Sequence, residues 1–433
     1  MKYKLTGCGL KPFVFFAVFT ACTVFLSCAT VSFSVPNSVT VPEDFFGISP
    51  DRSPLNPEDY KLLSEFNASW IRTTIRWSGV EPKQGEWNFD NWDNYLAKAE
   101  AAGKKVILIL GFDNGWLFKD NKERRKINAA QLPLYLNYVE QVVSRYRTRV
   151  VYEIWNEPNG IFWRGSNKDF FALSAAAAKK IRETEPKATI LAASTFLVDT
   201  GFTRNMFKSG AMENVDGFSF HPYTLKPRDT IKGCHKLLKV LNENGFDGYA
   251  WVTEVGYMNG PSPFFSTKRN AEDVVKTLSG LAVRADRVRN MIWYELMDNY
   301  NPGEVKNPLM PFNYLGLIYP NGTYKPGAEA FMLTAGYLAK SEYNPDLPIR
   351  ENVNKKITAL YFLKEDGTSA LILWNDGSGK KNMRLVVPEA ENLSRHSIHN
   401  REIEALSGDV VLEIGKEPVF ITWKGGKAPR LAN

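Results

Sequence analysis

The sequence predicts an α/β fold, a (β/α)8 TIM barrel carrying a smaller C-terminal β-sandwich. Three observations predict it. Between Glu43 and Lys340 short apolar runs alternate with longer segments of helical period, and eight such pairs can be counted, the number a closed barrel needs. The short runs are rich in Val, Ile, Leu and aromatics, as strands buried on both faces should be. After Tyr343-Asn344-Pro345 the texture changes to brief β-rich runs separated by turn residues.

In chain order, Lys2, Lys4 and Lys11 precede an apolar run, Phe13 to Leu26, too short to span a bilayer comfortably. Residues 1–27 therefore read as an export signal. Phe25-Leu26-Ser27-Cys28 resembles a bacterial lipobox, in which cleavage leaves Cys28 as a lipid-bearing N-terminus and places the protein on the membrane of the cell envelope. The competing reading is ordinary signal cleavage and a periplasmic or secreted protein. Residues 28–42 read as a tether, although Val31 to Thr40 could equally pair with the C-terminal sheet.

The barrel is assigned to residues 43–342. Its strand candidates are Phe45 to Ser49, Trp70 to Arg76, Lys105 to Gly111, Val150 to Trp155, Ala188 to Ala193, Val215 to Phe220, Ala250 to Glu254 and Met291 to Leu296. In the fourth helix Phe170, Leu173, Ala177 and Ile181 share one face, while Lys179, Lys180 and Glu183 face water. Pro186 ends that helix, and Pro326 opens the last one, where a missing amide costs nothing. Strand–helix alternation implies parallel strands and right-handed crossovers. Residues 343–433 form the β-domain, with strands Ile357 to Leu363, Ala370 to Trp374, Met383 to Val387, Val410 to Ile414 and Val419 to Trp423.

Charge and cysteine content narrow the function. The formal charge is +7, but residues 1–27 carry three lysines and no acids, so the remainder holds 51 basic against 47 acidic residues. Nothing there calls for nucleic acid. Cys8 and Cys22 lie in the signal and Cys28 in the lipobox, leaving Cys234 alone and no intrachain disulfide. The four histidines, 221, 235, 396 and 399, are scattered, so a zinc site is not expected and no organic cofactor is implied.

Chemistry belongs at the carboxyl ends of barrel strands, where loops from all eight units converge. Glu157 ends the fourth strand and Glu254 the seventh, across the mouth from one another. Breaking an acetal between sugars needs one neutral carboxyl to protonate the leaving oxygen and one ionised carboxyl to meet the charge at the anomeric carbon. Two such groups stand about 5–5.5 Å apart for retention and about 6.5–9.5 Å for inversion. In an unbroken strand Asn156 and Glu157 would point to opposite faces, so a bulge or early turn after Trp155 is required.

The run Tyr152-Glu153-Ile154-Trp155-Asn156-Glu157-Pro158-Asn159, with Phe162 and Trp163, resembles the acid/base motif of clan A retaining glycosidases, and glycoside hydrolase family 39 is the nearest in wording. Trp70-Ile71-Arg72 with Trp77, Glu81, Pro82, Gly85 and Asp90 resembles the clan's strand-two signature, His221-Pro222-Tyr223 its strand six, Glu254 its strand-seven nucleophile, and Trp293 with Tyr294 its strand-eight aromatic position. One Asn-Glu-Pro triplet is weak; several motifs in order on successive strands are strong.

The resemblance implies retention, with Glu157 as acid/base, Glu254 as nucleophile and Asn156 on the sugar 2-hydroxyl. Arg72 would hold Glu254 ionised, helped by Tyr223 or His221; its competing role is to neutralise Glu153 or Glu295 inside the barrel. Trp293 reads as a sugar platform on its strand-end position and the family match, with core filling as the competing reading. Trp116 and Trp163 read either as stacking faces for pyranose rings or as loops packing on themselves. The basic run Lys119 to Lys126 is a solvated loop face or a contact for an acidic glycan. The expected partner is an oligo- or polysaccharide. The alternative is a non-catalytic glycan-binding surface lipoprotein on the same scaffold.

Overall fold

A computed structural model describes residues 38–50, 55, 57–118, 124–259, 267–299, 311–351 and 353–433. The export signal, Cys28 and part of the Lys119–Lys126 run lie outside them. The described residues open with a short strand, β1 (Val39–Thr40), followed by eight parallel strands that close into a barrel: β2 (Phe46–Ser49), β3 (Trp70–Arg76), β4 (Lys105–Gly111), β5 (Val151–Ile154), β6 (Thr189–Phe196), β7 (Gly217–His221), β8 (Tyr249–Val255) and β9 (Val288–Tyr294). The ring closes through Phe46 to Ser49 on Met291 to Tyr294. All eight expected runs are strands, with ends moved by up to three residues.

Side chains fill the barrel rather than leave a pore. Trp70, Ile107, Val151, Leu191, Trp251 and Ile292 form one buried layer, and Trp70 meets Trp251 edge-on with centroids 5.5 Å apart. Two glycines make room for these indoles: a Cβ on Gly47 would sit 2.6 Å from that of Trp70, and one on Gly217 would sit 2.4 Å from the indole nitrogen of Trp251. The amino-terminal end is closed electrostatically. Asp44 takes Arg289 at 2.7 Å and Lys105 at 2.6 Å, and Arg289 lies over both indoles at 5.6 and 5.8 Å.

Around the ring, the helix Asn167–Thr184 buries Phe170, Leu173, Ala177 and Ile181 as its stripe requires, and a reciprocal Ser166–Asp169 capping box starts it. Pro326 occupies the first turn of the helix Pro326–Leu338. Among the described residues no helix is long and apolar enough to cross a membrane.

Beyond the barrel come β10 (Ser341–Asn344), β11 (Ile349–Glu351), β12 (Ile357–Lys364), β13 (Thr368–Asn375), β14 (Lys381–Val386), β15 (Glu391–His396), β16 (Ile403–Ala405), β17 (Asp409–Ile414), β18 (Val419–Lys424) and β19 (Arg430–Ala432). They form a seven-stranded sheet ordered β1-β10-β12-β13-β18-β15-β16 and a four-stranded sheet ordered β11-β19-β14-β17. Every pairing is antiparallel except β11 with β19. Alternate residues of the larger sheet serve two cores. Ala359, Tyr361, Leu371, Leu373 and Ile421 share a core with Met383, Leu385, Leu412, Ile414 and Leu431 of the smaller sheet, while Leu360, Phe362, Ile372, Trp374 and Phe420 join the core of the barrel. Tyr337 of the last barrel helix packs on Phe420 at 5.7 Å.

Of the two readings open for Val31 to Thr40, Val39 and Thr40 take the paired one, as a strand against Tyr343 and Glu342. Val39 is buried, so burial of an apolar side chain holds this segment in the sheet.

Candidate active site

Two residues beyond Trp70, and on the same interior side of β3, stands Arg72. It is buried, and its guanidinium donates to Oε2 of Glu153 at 2.6 Å, to Oε1 of Glu254, to Oδ1 of Asn156 at 2.7 Å and to Oγ of Ser194 at 3.2 Å. Both roles weighed for Arg72 are therefore filled at once: it balances Glu153 inside the barrel and grips Glu254. A planar fork of five donors suits that work, and lysine could not repeat it.

The turn demanded after β5 is present. Trp155 and Glu157 take left-handed backbone, with φ of 66° and 44°. Trp155 thereby packs outward, edge-on to Phe112 at 5.2 Å and Trp163 at 5.3 Å, while the neighbouring Asn156 reaches Arg72 and Glu157 reaches His221. The turn is clamped from β6. The amide of Glu157 donates to the carbonyl of Ser194 at 2.9 Å, and the side chain of Asn159 accepts from the Phe196 amide at 2.8 Å and donates to its carbonyl at 2.9 Å. Non-glycine residues held in this conformation cost roughly 1–3 kcal/mol each and persist where surrounding bonds over-determine them.

Three groups converge above Arg72. One carboxylate oxygen of Glu157, one ring nitrogen of His221 and one carboxylate oxygen of Glu254 lie within 4.8 Å of one another. Nδ1 of His221 is 2.8 Å from Oε1 of Glu157 and 3.5 Å from Oε2 of Glu254. The Tyr223 hydroxyl donates to Oε2 of Glu254 at 2.8 Å. These three side chains could in principle ligate a cation, but the positive charge of the cluster is already supplied by Arg72.

Burial raises the pKa of Glu157 well above the ordinary carboxylate value, and the charge of Glu254 raises it further against the pull of Arg72. Burial also lowers His221, and Arg72 lowers it more, so the imidazole is neutral. Burial and then Glu254 raise Tyr223, which stays a donor. One carboxyl is thus pushed toward its acid form beside another gripped by two donors.

The aromatic assignments fare less well. Trp293 is fully buried and faces outward, against Tyr257 at 6.0 Å and Phe331 at 6.4 Å. The reason is strand alternation: Ile292 belongs to the interior layer, so Trp293 points to the helices. Its half-buried neighbour Tyr294 is the aromatic that acts electrostatically on Tyr223. Trp163 is also buried, between Trp155 and Phe170, with its indole N–H on the Ser166 carbonyl at 3.0 Å. It is packing for the loop. Trp116 is half-buried and bonded to the Glu81 carbonyl at 3.1 Å, edge-on to Trp77 at 5.4 Å. Of the basic run, Arg124 pairs with Asp113 at 2.8 Å. Sequence reading missed Ser194 and its left-handed neighbour Ala193, because nothing in Ala192-Ala193-Ser194-Thr195 signals a bulge.

Comparison with known proteins agrees with this fold. Residues 46–297 match the family model described as Cellulase (glycosyl hydrolase family 5). A family 39 glycoside hydrolase from the gut symbiont Bacteroides cellulosilyticus WH2 superposes with a TM-score of 0.71 at 18% identity, over 88% of this chain and 81% of that one. A family 39 β-xylosidase from Caulobacter crescentus gives 0.64 at 16% identity, over 90% and 98%, and xylanase 10B from Thermotoga maritima gives 0.51 at 17%, over 68% and 95%. Because the matched segment spans more than half of the chain, the protein belongs to the cellulase family of glycosyl hydrolases; it is a clan A glycosidase whose fold is shared by family 39 enzymes.

Proposed function

We propose that the protein is a retaining glycosidase that cleaves a β-linked oligo- or polysaccharide by double displacement, with Glu254 as nucleophile and Glu157 as acid/base. In the first step a Glu254 oxygen attacks the anomeric carbon while Glu157 gives its proton to the departing glycosidic oxygen, leaving a glycosyl ester on Glu254. In the second, Glu157, now a carboxylate, takes a proton from water, whose oxygen attacks the same carbon and frees Glu254. One water is consumed and configuration is kept.

The observation that carries this reading is the approach of the two carboxylates, an oxygen of each lying within 4.8 Å of the other, which supports the close spacing of retention rather than the wider spacing of inversion. Unequal surroundings support the division of labour. Glu157 is raised by burial, while Glu254 receives charge-assisted bonds from Arg72 and a hydroxyl from Tyr223. Asn156, fixed by Arg72, is the group for the sugar 2-hydroxyl. The β-linkage rests on what similar proteins are described to cut, cellulose for the matched family and β-xylosides for the Caulobacter enzyme.

The test is Glu254→Ala. Hydrolysis of an aryl β-glycoside should fall by on the order of 10⁴ or more, and added azide should restore turnover as a glycosyl azide. Activity equal to wild type ends the assignment.

The same reading places the two C-terminal sheets as a β-sandwich and the protein on the cell envelope through lipid on Cys28. Cys28→Ala releasing the enzyme from the membrane fraction is the expected result for the anchor.

A further inference from the structure

Ser194 is bound more tightly into the catalytic cluster than any role assigned so far requires. It sits in a bulge of β6 where Ala193 and Ser194 both take left-handed backbone, with φ of 85° and 41°, and where the pairing with β7 jumps between Ala192 and Thr195. Its amide donates to Oγ of Ser219 at 3.0 Å, which in turn donates to the Ala192 carbonyl at 3.2 Å. Its carbonyl accepts the amide of Glu157. Its hydroxyl touches two members of the cluster, the Arg72 guanidinium and Nε2 of His221, each at 3.2 Å.

Proton counting decides the direction of those bonds. A guanidinium only donates, so Arg72 uses a lone pair of Oγ. The hydroxyl proton then has one acceptor in reach among the described residues, Nε2 of His221. With Nε2 accepting, the neutral ring carries its proton on Nδ1 and donates to Oε1 of Glu157 at 2.8 Å. The opposite tautomer leaves the serine proton without an acceptor. It also sets a bare Nδ1 against Oε1, where it would draw off the proton of an acidic Glu157 that the leaving oxygen needs, and would repel Oε1 once Glu157 is a carboxylate. The other oxygen of Glu157, Oε2, has no hydrogen-bond partner among the described residues.

We propose that Ser194 is a positioning residue for proton transfer: its hydroxyl fixes the Nδ1–H tautomer of His221, which occupies Oε1 of Glu157 and leaves the transferable proton on Oε2. The proposal rests on Glu157 being the acid/base. The groups facing His221 are Glu157 from the end of β5, Glu254 from β8, Arg72 from β3 and Tyr223 from beyond its own strand. Burial, which lowers the pKa of the imidazole, supports the assignment. Proton movement is confined to Oε2: it passes to the leaving oxygen in the first step and returns from water in the second, and His221 neither gains nor loses one.

Histidine-labelled protein gives a direct test by ¹⁵N NMR, the His221 signals being those absent from H221Q. In the wild type Nδ1 should be the protonated nitrogen; a proton on Nε2, or on both nitrogens, overturns the proposal whatever Glu157 does. Ser194→Gly suits the left-handed backbone and removes the hydroxyl. Its kcat/KM should fall about ten- to a hundredfold on a disaccharide, which needs acid assistance, but less than about threefold on a 2,4-dinitrophenyl glycoside, which does not. Equal losses on both substrates, or none, overturn it. Glu157→Gln is the control: if it hydrolyses the disaccharide like wild type, the acid/base reading itself is wrong and the proposal falls with it. If only Glu157→Gln is impaired, Ser194 alone is misassigned.

Discussion

Two layers of the same barrel, separated by a single step of the strand repeat, obey opposite rules. At the level of Trp70, Val151 and Trp251 six inward side chains pack into an apolar layer, and two glycines make way for the indoles. Two residues further along the same strands stand Arg72 and Glu153, both buried and ionic. The lower layer follows the rule that large apolar groups fill a barrel. The upper one buries charge and is bordered by left-handed backbone at Trp155, Glu157, Ala193 and Ser194. Departures from local preference thus collect at the layer that meets the substrate, where stability is given up for geometry.

Arg72→Met should break the comparison most severely. It strands the buried Glu153 and releases Glu254, so unfolding free energy should drop by about 3–5 kcal/mol, measured by denaturant titration, with hydrolysis lost as well. A stable Arg72→Met protein would mean that the upper layer carries little electrostatic weight. Gly217→Ala probes the lower layer alone. Its new methyl meets Trp251 and Leu191, and stability should fall by about 1–3 kcal/mol while kcat per folded molecule stays within about twofold, since catalysis depends on preorganised groups one layer above.

The smallest effect has the opposite sign. Because Glu157 is raised in the folded state, the native protein holds its proton to higher pH than the unfolded chain, so wild-type stability falls as pH climbs from the ordinary carboxylate range to the raised value and then levels off. Glu157→Gln removes that loss. Its melting temperature should match wild type in acid and exceed it at neutral pH; identical curves at both pH values would show that the carboxyl is not strained.

How much of this was legible in sequence differs between the layers and between the domains. Eight apolar strands announce themselves, because burial on both faces leaves composition little freedom. Glu157, Glu254, Asn156, Arg72, His221 and Tyr223 occupy motif positions, and the structure gathers all six. Trp163 and Trp293 mislead because an aromatic near a strand end looks the same whether it faces the mouth or the helices; a one-residue shift decides. The bulge at Ala193 and Ser194 arises from bonds to other strands, which no local pattern encodes. Glu391–His396 and Ile403–Ala405 escape notice for another reason: β16 is an exposed edge strand and β15 beside it is largely polar, so neither shows the apolar alternation that marks a strand.

The short pairing of Val39 and Thr40 with Glu342 and Tyr343 has a bearing on ancestry and engineering. Since the larger sheet begins with residues that precede the barrel, the C-terminal sheets cannot be exchanged between enzymes as a cassette cut at one junction. Recombination that transplants them must carry both flanks of the barrel, and a graft made at a single seam leaves an orphan edge on each parent.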